Sequence, residues 1–151
     1  MSSRPRRSRR RPSRRRLPMA GLDRATGRPL DGFAHVVQSI DVIFTTRLGD
    51  RVMRRWFGAI GSALLGRLLV PKTILLFIAA LATALDLWEP RFKVTRIDTS
   101  GNTSDAIRLG QLALVIEGEY RPRGHLGDTR SEGLRRISLA SNKYGYTLSE
   151  V

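Results

Sequence analysis

Hydrophobic positions recur along this chain in two rhythms. Phe33, Val36, Val37, Ile40, Ile43 and Phe44 follow an i, i+3, i+4, i+7 spacing, which marks one buried face of a helix. The spacing predicts a helix over roughly 32–45, with Asp31 placed to cap it. The same rhythm returns after Asp50, itself a good N-cap residue. Val52, Met53, Trp56, Phe57 and Ile60 share one side there, and Arg51, Arg54 and Arg55 share the other, so a second helix is expected. Gly58 and Gly61 mark a bend before a short apolar element near 62–70. Pro71 suits the first turn of a third helix, which runs through Lys72 to Trp88 and is apolar on nearly every side. A helix of that kind needs cover all round. Its uncharged run, Thr73 to Leu85, falls short of the about 20 residues a bilayer requires. Partner subunits are therefore expected to cover part of it, and a membrane span is not.

The second rhythm begins at Leu85-Asp86-Leu87-Trp88-Glu89-Pro90-Arg91. Proline lacks an amide hydrogen and its ring clashes with the preceding turn, so the helix must stop by about Trp88. Pro90 also turns Glu89 toward extended backbone, and Glu89 and Arg91 then face one side together. Taken alone, such a corner is a helix stop with two solvated charges. Beyond it, residues 92–99 read as a strand, Ser100-Gly101-Asn102 as a turn, and Ile107 to Tyr120 as a second strand region. Ile107 and Leu109 have one parity and Leu112, Leu114, Ile116 and Tyr120 the other, so a bulge is expected at Gly110, with Glu117 and Glu119 toward solvent. The expected fold class is α+β, with about three N-terminal helices packed on a small C-terminal antiparallel sheet or hairpin.

Both ends lose these rhythms. Residues 1–18 carry nine arginines and no acid, and with so little to bury they are expected to be disordered. No apolar segment follows them, which argues against a signal peptide; Met19 would make a natural start for the body. Residues 122–151 are polar and turn-rich, with Leu134, Ile137 and Leu139 able to support only a short helix or strand. The expected organisation is a tail over 1–18, one domain over 19–121 and a polar tail over 122–151.

Charge changes this picture little. The formal net charge is +14, from 27 basic and 13 acidic residues, but removing the tail's nine arginines leaves a mildly basic body. That body has no interleaved basic and aromatic residues on its strands, so it offers no platform for single-stranded nucleic acid. Cysteine is absent, which excludes disulfides, thiolate metal sites and thiol nucleophiles. His35 and His125 sit in no metal-ligand spacing, and His35 lies off the buried stripe of its helix, as a surface residue would. Asp86, Glu89, Glu117 and Glu119 could in principle form a glycosidase pair, but nothing in their spacing specifies one. No catalytic residue, cofactor site or metal site is assigned, and the pattern favours an assembly component over an enzyme.

Several segments, in order, resemble one family. Residues 24–28 (Arg-Ala-Thr-Gly-Arg) and 30–46 (opening Leu-Asp-Gly-Phe-Ala-His) are similar to the start of the bacteriophage baseplate assembly protein W family. Leu48-Gly49-Asp50-Arg51-Val52-Met53-Arg54-Arg55 with Phe57-Gly58 resembles its next signature, and Ala82-Thr83-Ala84-Leu85 followed by Trp88-Glu89-Pro90-Arg91 its hallmark. The chain departs from the pattern at Arg47, Asp50 and Trp56. The resemblance implies a non-enzymatic wedge component, or sheath initiator, in the baseplate of a contractile tail. It implies larger wedge proteins, sheath subunits and central spike or tube proteins as partners, and neither a small-molecule substrate nor nucleic acid. It also implies a location in the virion tail baseplate after synthesis in the bacterial host cytoplasm. The expected partner-binding residues are Trp88, Glu89, Pro90 and Arg91 at the corner, Arg51, Arg54 and Arg55 beside it, and Leu112, Leu114 and Ile116 on a sheet edge open to strand addition. The alternatives are a lysozyme-like peptidoglycan hydrolase of the baseplate, or a nucleic-acid-binding protein using the arginine arm.

Overall fold

The computed structural model describes residues 21–59, 70–109, 111–142 and 145–151. A two-stranded hairpin, β1 (Gly21–Leu22) and β2 (Pro29–Leu30), leads into helix α1 (Gly32–Thr45). Asp31 occupies the N-cap position, although its side chain makes no capping bond. The apolar stripe of α1 is buried as its spacing predicts, at Phe33, Val36, Ile40, Ile43 and Phe44. Gln38 ties the hairpin to the helix: its side-chain amide donates to the Leu22 carbonyl at 2.9 Å and accepts from the Arg24 amide at 2.9 Å.

Helix α2 (Pro71–Trp88) opens on Pro71 and buries Phe77, Leu81, Ala84 and Leu85. Strand β3 (Phe92–Asp98) follows the corner, then a short helix α3 (Ser104–Arg108), β4 (Leu112–Tyr120), β5 (Leu134–Asn142) and β6 (Gly145–Glu150). These four strands form one antiparallel sheet in the order β3-β4-β5-β6. The inward positions Leu112, Leu114, Ile116 and Tyr120 of β4, with Ile137 and Leu139 of β5, meet the stripes of α1 and α2 in one core. Phe33 joins the layers, its ring edge-on to Tyr120 at 5.3 Å and tilted against Phe92 at 6.0 Å. Helix α1 also packs against β6, and Leu148 reaches the core from that last strand.

This architecture overturns the expected three N-terminal helices on a small C-terminal sheet. Residues 51–59 are turns, not helix: the Gly49 amide donates to the Arg55 carbonyl at 2.8 Å and the Phe57 amide to the Arg54 carbonyl at 3.0 Å, so the segment folds back on itself, and Gly58 leaves it in left-handed backbone (φ 128°). The Ala59 amide instead donates to the Thr46 carbonyl at 3.1 Å. A side chain at position 58 would strike that same carbonyl. The apolar element expected near 62–70 lies almost wholly outside the described residues. The sheet is larger than a hairpin because residues 134–150, expected to be tail, supply β5 and β6. Ile137 and Leu139 alternate with Arg136 and Ser138, which suffices for a half-buried strand beside β4.

The expected strand over Ile107–Leu109 is corrected too. Thr103 caps α3 by accepting from the Ala106 amide at 3.2 Å, so the parity change before Leu112 reflects a helix-to-strand transition. The bulge expected at Gly110 falls outside the described residues; among them, a shift in pairing register lies on β3, between Val94 and Arg96.

Candidate functional site

Chain direction and burial converge at the end of α2. Glu89 leaves helical backbone (φ −126°, ψ 73°) while its amide still donates to the Leu85 carbonyl at 2.9 Å. The Phe92 amide then donates to the Glu89 carbonyl at 3.0 Å, closing a turn around Pro90. Inside that turn the Arg91 guanidinium grips the Glu89 carboxylate with two bonds, Nε to Oε1 at 2.6 Å and Nη2 to Oε2 at 2.8 Å. The side chains are 10% and 2% exposed, so the corner holds a desolvated, bidentate ion pair and not two solvated charges. The turn Gly124–Leu126 packs against the corner. Gly124 sits so close to the Pro90 carbonyl that any side chain there would collide with it, and the Arg121 amide donates to the Arg91 carbonyl at 2.8 Å.

A third residue completes the cluster, one that its off-stripe position had marked as mere surface. His35 of α1 places Nδ1 3.0 Å from Arg91 Nη1. Burial, and then the Arg91 charge, hold its pKa below the usual histidine value, with Glu89 pulling the other way. Periodicity could not have found it, since only the fold brings α1 to the corner.

The other expected residues divide between two settings. Trp88 is half-buried, its ring 5.1 Å from Phe57, and the Arg51 guanidinium lies over the Phe57 ring at 4.1 Å. Arg54 and Arg55 are exposed in the same loop, as are Val52, Met53 and Trp56. Between this loop and α2 runs an open apolar groove of about 780 Å³, bordered by Leu48, Trp56, Leu76, Ala80, Leu87 and Trp88 among others. Only 22% of the Pro71–Trp88 helix is buried, and the whole helix, longer than its uncharged run, is by length and composition alone long and apolar enough to cross a membrane. Leu112, Leu114 and Ile116 instead lie in the core on β4, a strand flanked on both sides by β3 and β5. The outer edges of the sheet belong to β3 and β6.

The four acids weighed for catalysis each have a basic partner. Asp86 takes Lys93 at 2.9 Å, Glu89 takes Arg91, Glu117 takes Arg136 at 2.8 Å and Glu119 takes Arg121 at 2.7 Å. Asp86 and Glu89 both border a recess of about 310 Å³, together with Lys93 and Arg121. Among the described residues no group of His, Cys, Asp or Glu is arranged to hold a metal ion.

With this geometry in place, comparison with known proteins is specific. Baseplate protein W of Escherichia phage P2 is 27% identical over 104 residues, spanning 69% of this chain and 86% of that protein. A chain in the postcontracted baseplate of pyocin R2, solved by cryo-electron microscopy, superposes with a TM-score of 0.57 at 30% identity, covering 68% of this chain and 98% of the other. A crystal structure from Geobacter sulfurreducens, described as a candidate tail lysozyme, superposes with a TM-score of 0.52 at 25% identity over 74% of this chain and 89% of its own. The family model for baseplate wedge protein gp25 matches residues 31–124, a span holding α1, α2, the corner, β3 and β4 and ending at Gly124, which packs on Pro90. This chain belongs to the gp25 baseplate wedge family.

Proposed function

We propose that this chain is a structural component of a contractile-tail baseplate and binds its neighbours through three surfaces. The first is the corner Trp88-Glu89-Pro90-Arg91. The second is the open face of α2 with the loop bearing Arg51, Arg54 and Arg55. The third is the outer edge of the sheet. The gp25 family supports the baseplate location and the structural role. The observation that carries the docking reading is α2 itself, whose inner face is core while Leu75, Leu76 and Leu87 are 67%, 54% and 64% exposed. An uncovered apolar surface of that kind marks an interaction site. A larger wedge protein is the proposed occupant of α2 and the corner, and spike or tube proteins are the proposed neighbours toward the tail axis.

Strand addition by sheath subunits is assigned to the edges β3 or β6, whose outer main-chain groups can pair with an incoming strand. Leu112, Leu114 and Ile116 then support the edge from within the core. Co-expression tests the proposal: the chain alone should aggregate, and a wedge protein from the same particle should render it soluble and co-purify. A stable monomer that ignores that protein would overturn it.

The reading is non-enzymatic. A glycosidase needs one carboxyl that can donate a proton and a second that is free to attack or to activate water, whereas Asp86, Glu89, Glu117 and Glu119 are all committed to bases. Purified protein should leave a peptidoglycan turbidity assay unchanged; clearing would restore the lysozyme reading. Deleting residues 1–18 tests the nucleic-acid reading, since salt-dependent DNA binding lost with the tail would be an activity separate from assembly.

A further inference from the structure

Glu89 and Arg91 belong to one turn, so their mutual bonds tie the corner only to itself. The side-chain bond that fastens the pair to another element of the body, among the described residues, is the 3.0 Å contact from Arg91 Nη1 to His35 Nδ1. A guanidinium has donors and no acceptor. Nδ1 must therefore accept, which makes the imidazole neutral with its proton on Nε2. Gly21 of β1 packs against the Nε2 side of the ring so closely that any side chain at position 21 would collide with it. The ring is thus held between the hairpin backbone and the arginine. The charges acting on it are Arg91, which opposes protonation, and Glu89, which favours it. Strand β1 contributes no charged side chain, and Asp31, Glu132 and Arg135 act on the Tyr120 hydroxyl instead.

We propose that His35 is the positioning residue of the corner, an obligatory neutral acceptor that locks the Arg91 guanidinium to α1 so that Glu89-Pro90-Arg91 meets its partner in one orientation. This rests on the corner being a docking surface. It adds two requirements: an acceptor at the place of Nδ1, and no proton on it. Asparagine supplies such an acceptor, because its Oδ1 lies where Nδ1 does. Glutamine reaches instead toward the place of Nε2, and leucine supplies none.

The test places His35→Asn, His35→Gln, His35→Leu and Arg91→Ala in the parent particle and counts intact contractile particles by electron microscopy. The full chain, fused to a solubilising carrier protein, is followed by imidazole ¹⁵N NMR and by thermal denaturation from pH 8 to 5.5. Wild-type His35 should show the Nε2–H tautomer and keep it below its ordinary pKa of 6.5. Particle yield should be near wild type for His35→Asn and fall about tenfold for His35→Leu and His35→Gln, the loss of one charge-assisted hydrogen bond. Wild-type stability should be full above pH 6.5 and decline below it, because the unfolded imidazole takes a proton before the folded one does. His35→Asn should remove that part of the decline.

An Nδ1–H tautomer, or normal assembly by His35→Leu while Arg91→Ala fails, overturns the positioning role. Normal assembly by Arg91→Ala overturns the docking reading itself and leaves the tautomer result standing.

Discussion

Two acid–base pairs meet at the end of α2, three residues apart, and they are not equivalent. Glu89 and Arg91 approach to 2.6 Å with side chains 2% and 10% exposed, while Asp86 and Lys93 approach to 2.9 Å at 48% and 50%. Their distances differ little; their solvent differs greatly. Asp86 lies in the last turn of α2 on its outer side, where water can replace Lys93 at small cost. Glu89 lies one step past the helix end, where Pro90 folds it inward beneath the turn Gly124–Leu126. Losing Arg91 would leave it an unpaired charge away from water. Proximity alone says little about the worth of an ion pair. The corner has an inner lock and an outer clasp, and only the inner lock is tied to α1.

Breaking the inner lock should have the largest effect. Glu89→Ala or Arg91→Ala should each destabilise the chain by about 3–5 kcal/mol, measured by denaturant unfolding. Replacing both together by methionine should recover much of that loss, since a packed apolar pair often matches a buried ionic one. Assembly should stay blocked, so the unfolding is read on the chain fused to a solubilising carrier protein, which separates the lock's role in docking from its role in stability. Next comes Leu81→Ala on the buried face of α2, at about 2–5 kcal/mol, read from the same unfolding curves.

Asp86→Ala should cost no more than about 1 kcal/mol. High salt should erase even that difference, since exposed pairs are screened. Smallest of all, Leu76→Glu on the open face of α2 should leave the chain's own stability within about 0.5 kcal/mol while abolishing co-purification with a wedge protein. A large stability loss from Leu76→Glu would show that the open face is closed by the chain itself.

The legible parts of this molecule are those where local chemistry decides alone. Helix α1, helix α2 and strand β3 follow from side-chain spacing, and the corner follows from Pro90, because each rests on constraints within a few residues. What sequence reasoning missed depends on distant neighbours. Val52, Met53 and Trp56 repeat at helical spacing over barely two turns, and a loop closed from Gly49 to the Arg55 carbonyl, with all three side chains exposed, outweighs so short a pattern. Ile137 and Leu139 are too few to announce a strand; they become one because β4 presents a ladder beside them. Arginine and serine between them then face outward and look like tail. His35 sits off the apolar stripe for a sound reason: it faces the side of α1 where the arginine arrives. The family signature was readable because it combines the turn residues and the corner, which are local.

The packing of α1 against β6 has a consequence for how the protein is made. Chains emerge from the ribosome N-terminus first and domains fold as units, yet here the first long helix shares a core with the last strand. More than 100 residues separate α1 from Leu148, so the side of α1 that meets β6 stays unsealed until Gly145–Glu150 has cleared the exit tunnel. During that interval the outer face of α2 also lacks its external cover. A ribosome stalled before residue 145 would present the cell with a sticky, half-built sheet, and abundant chaperone capacity, or a wedge partner translated nearby, is what such a nascent chain needs.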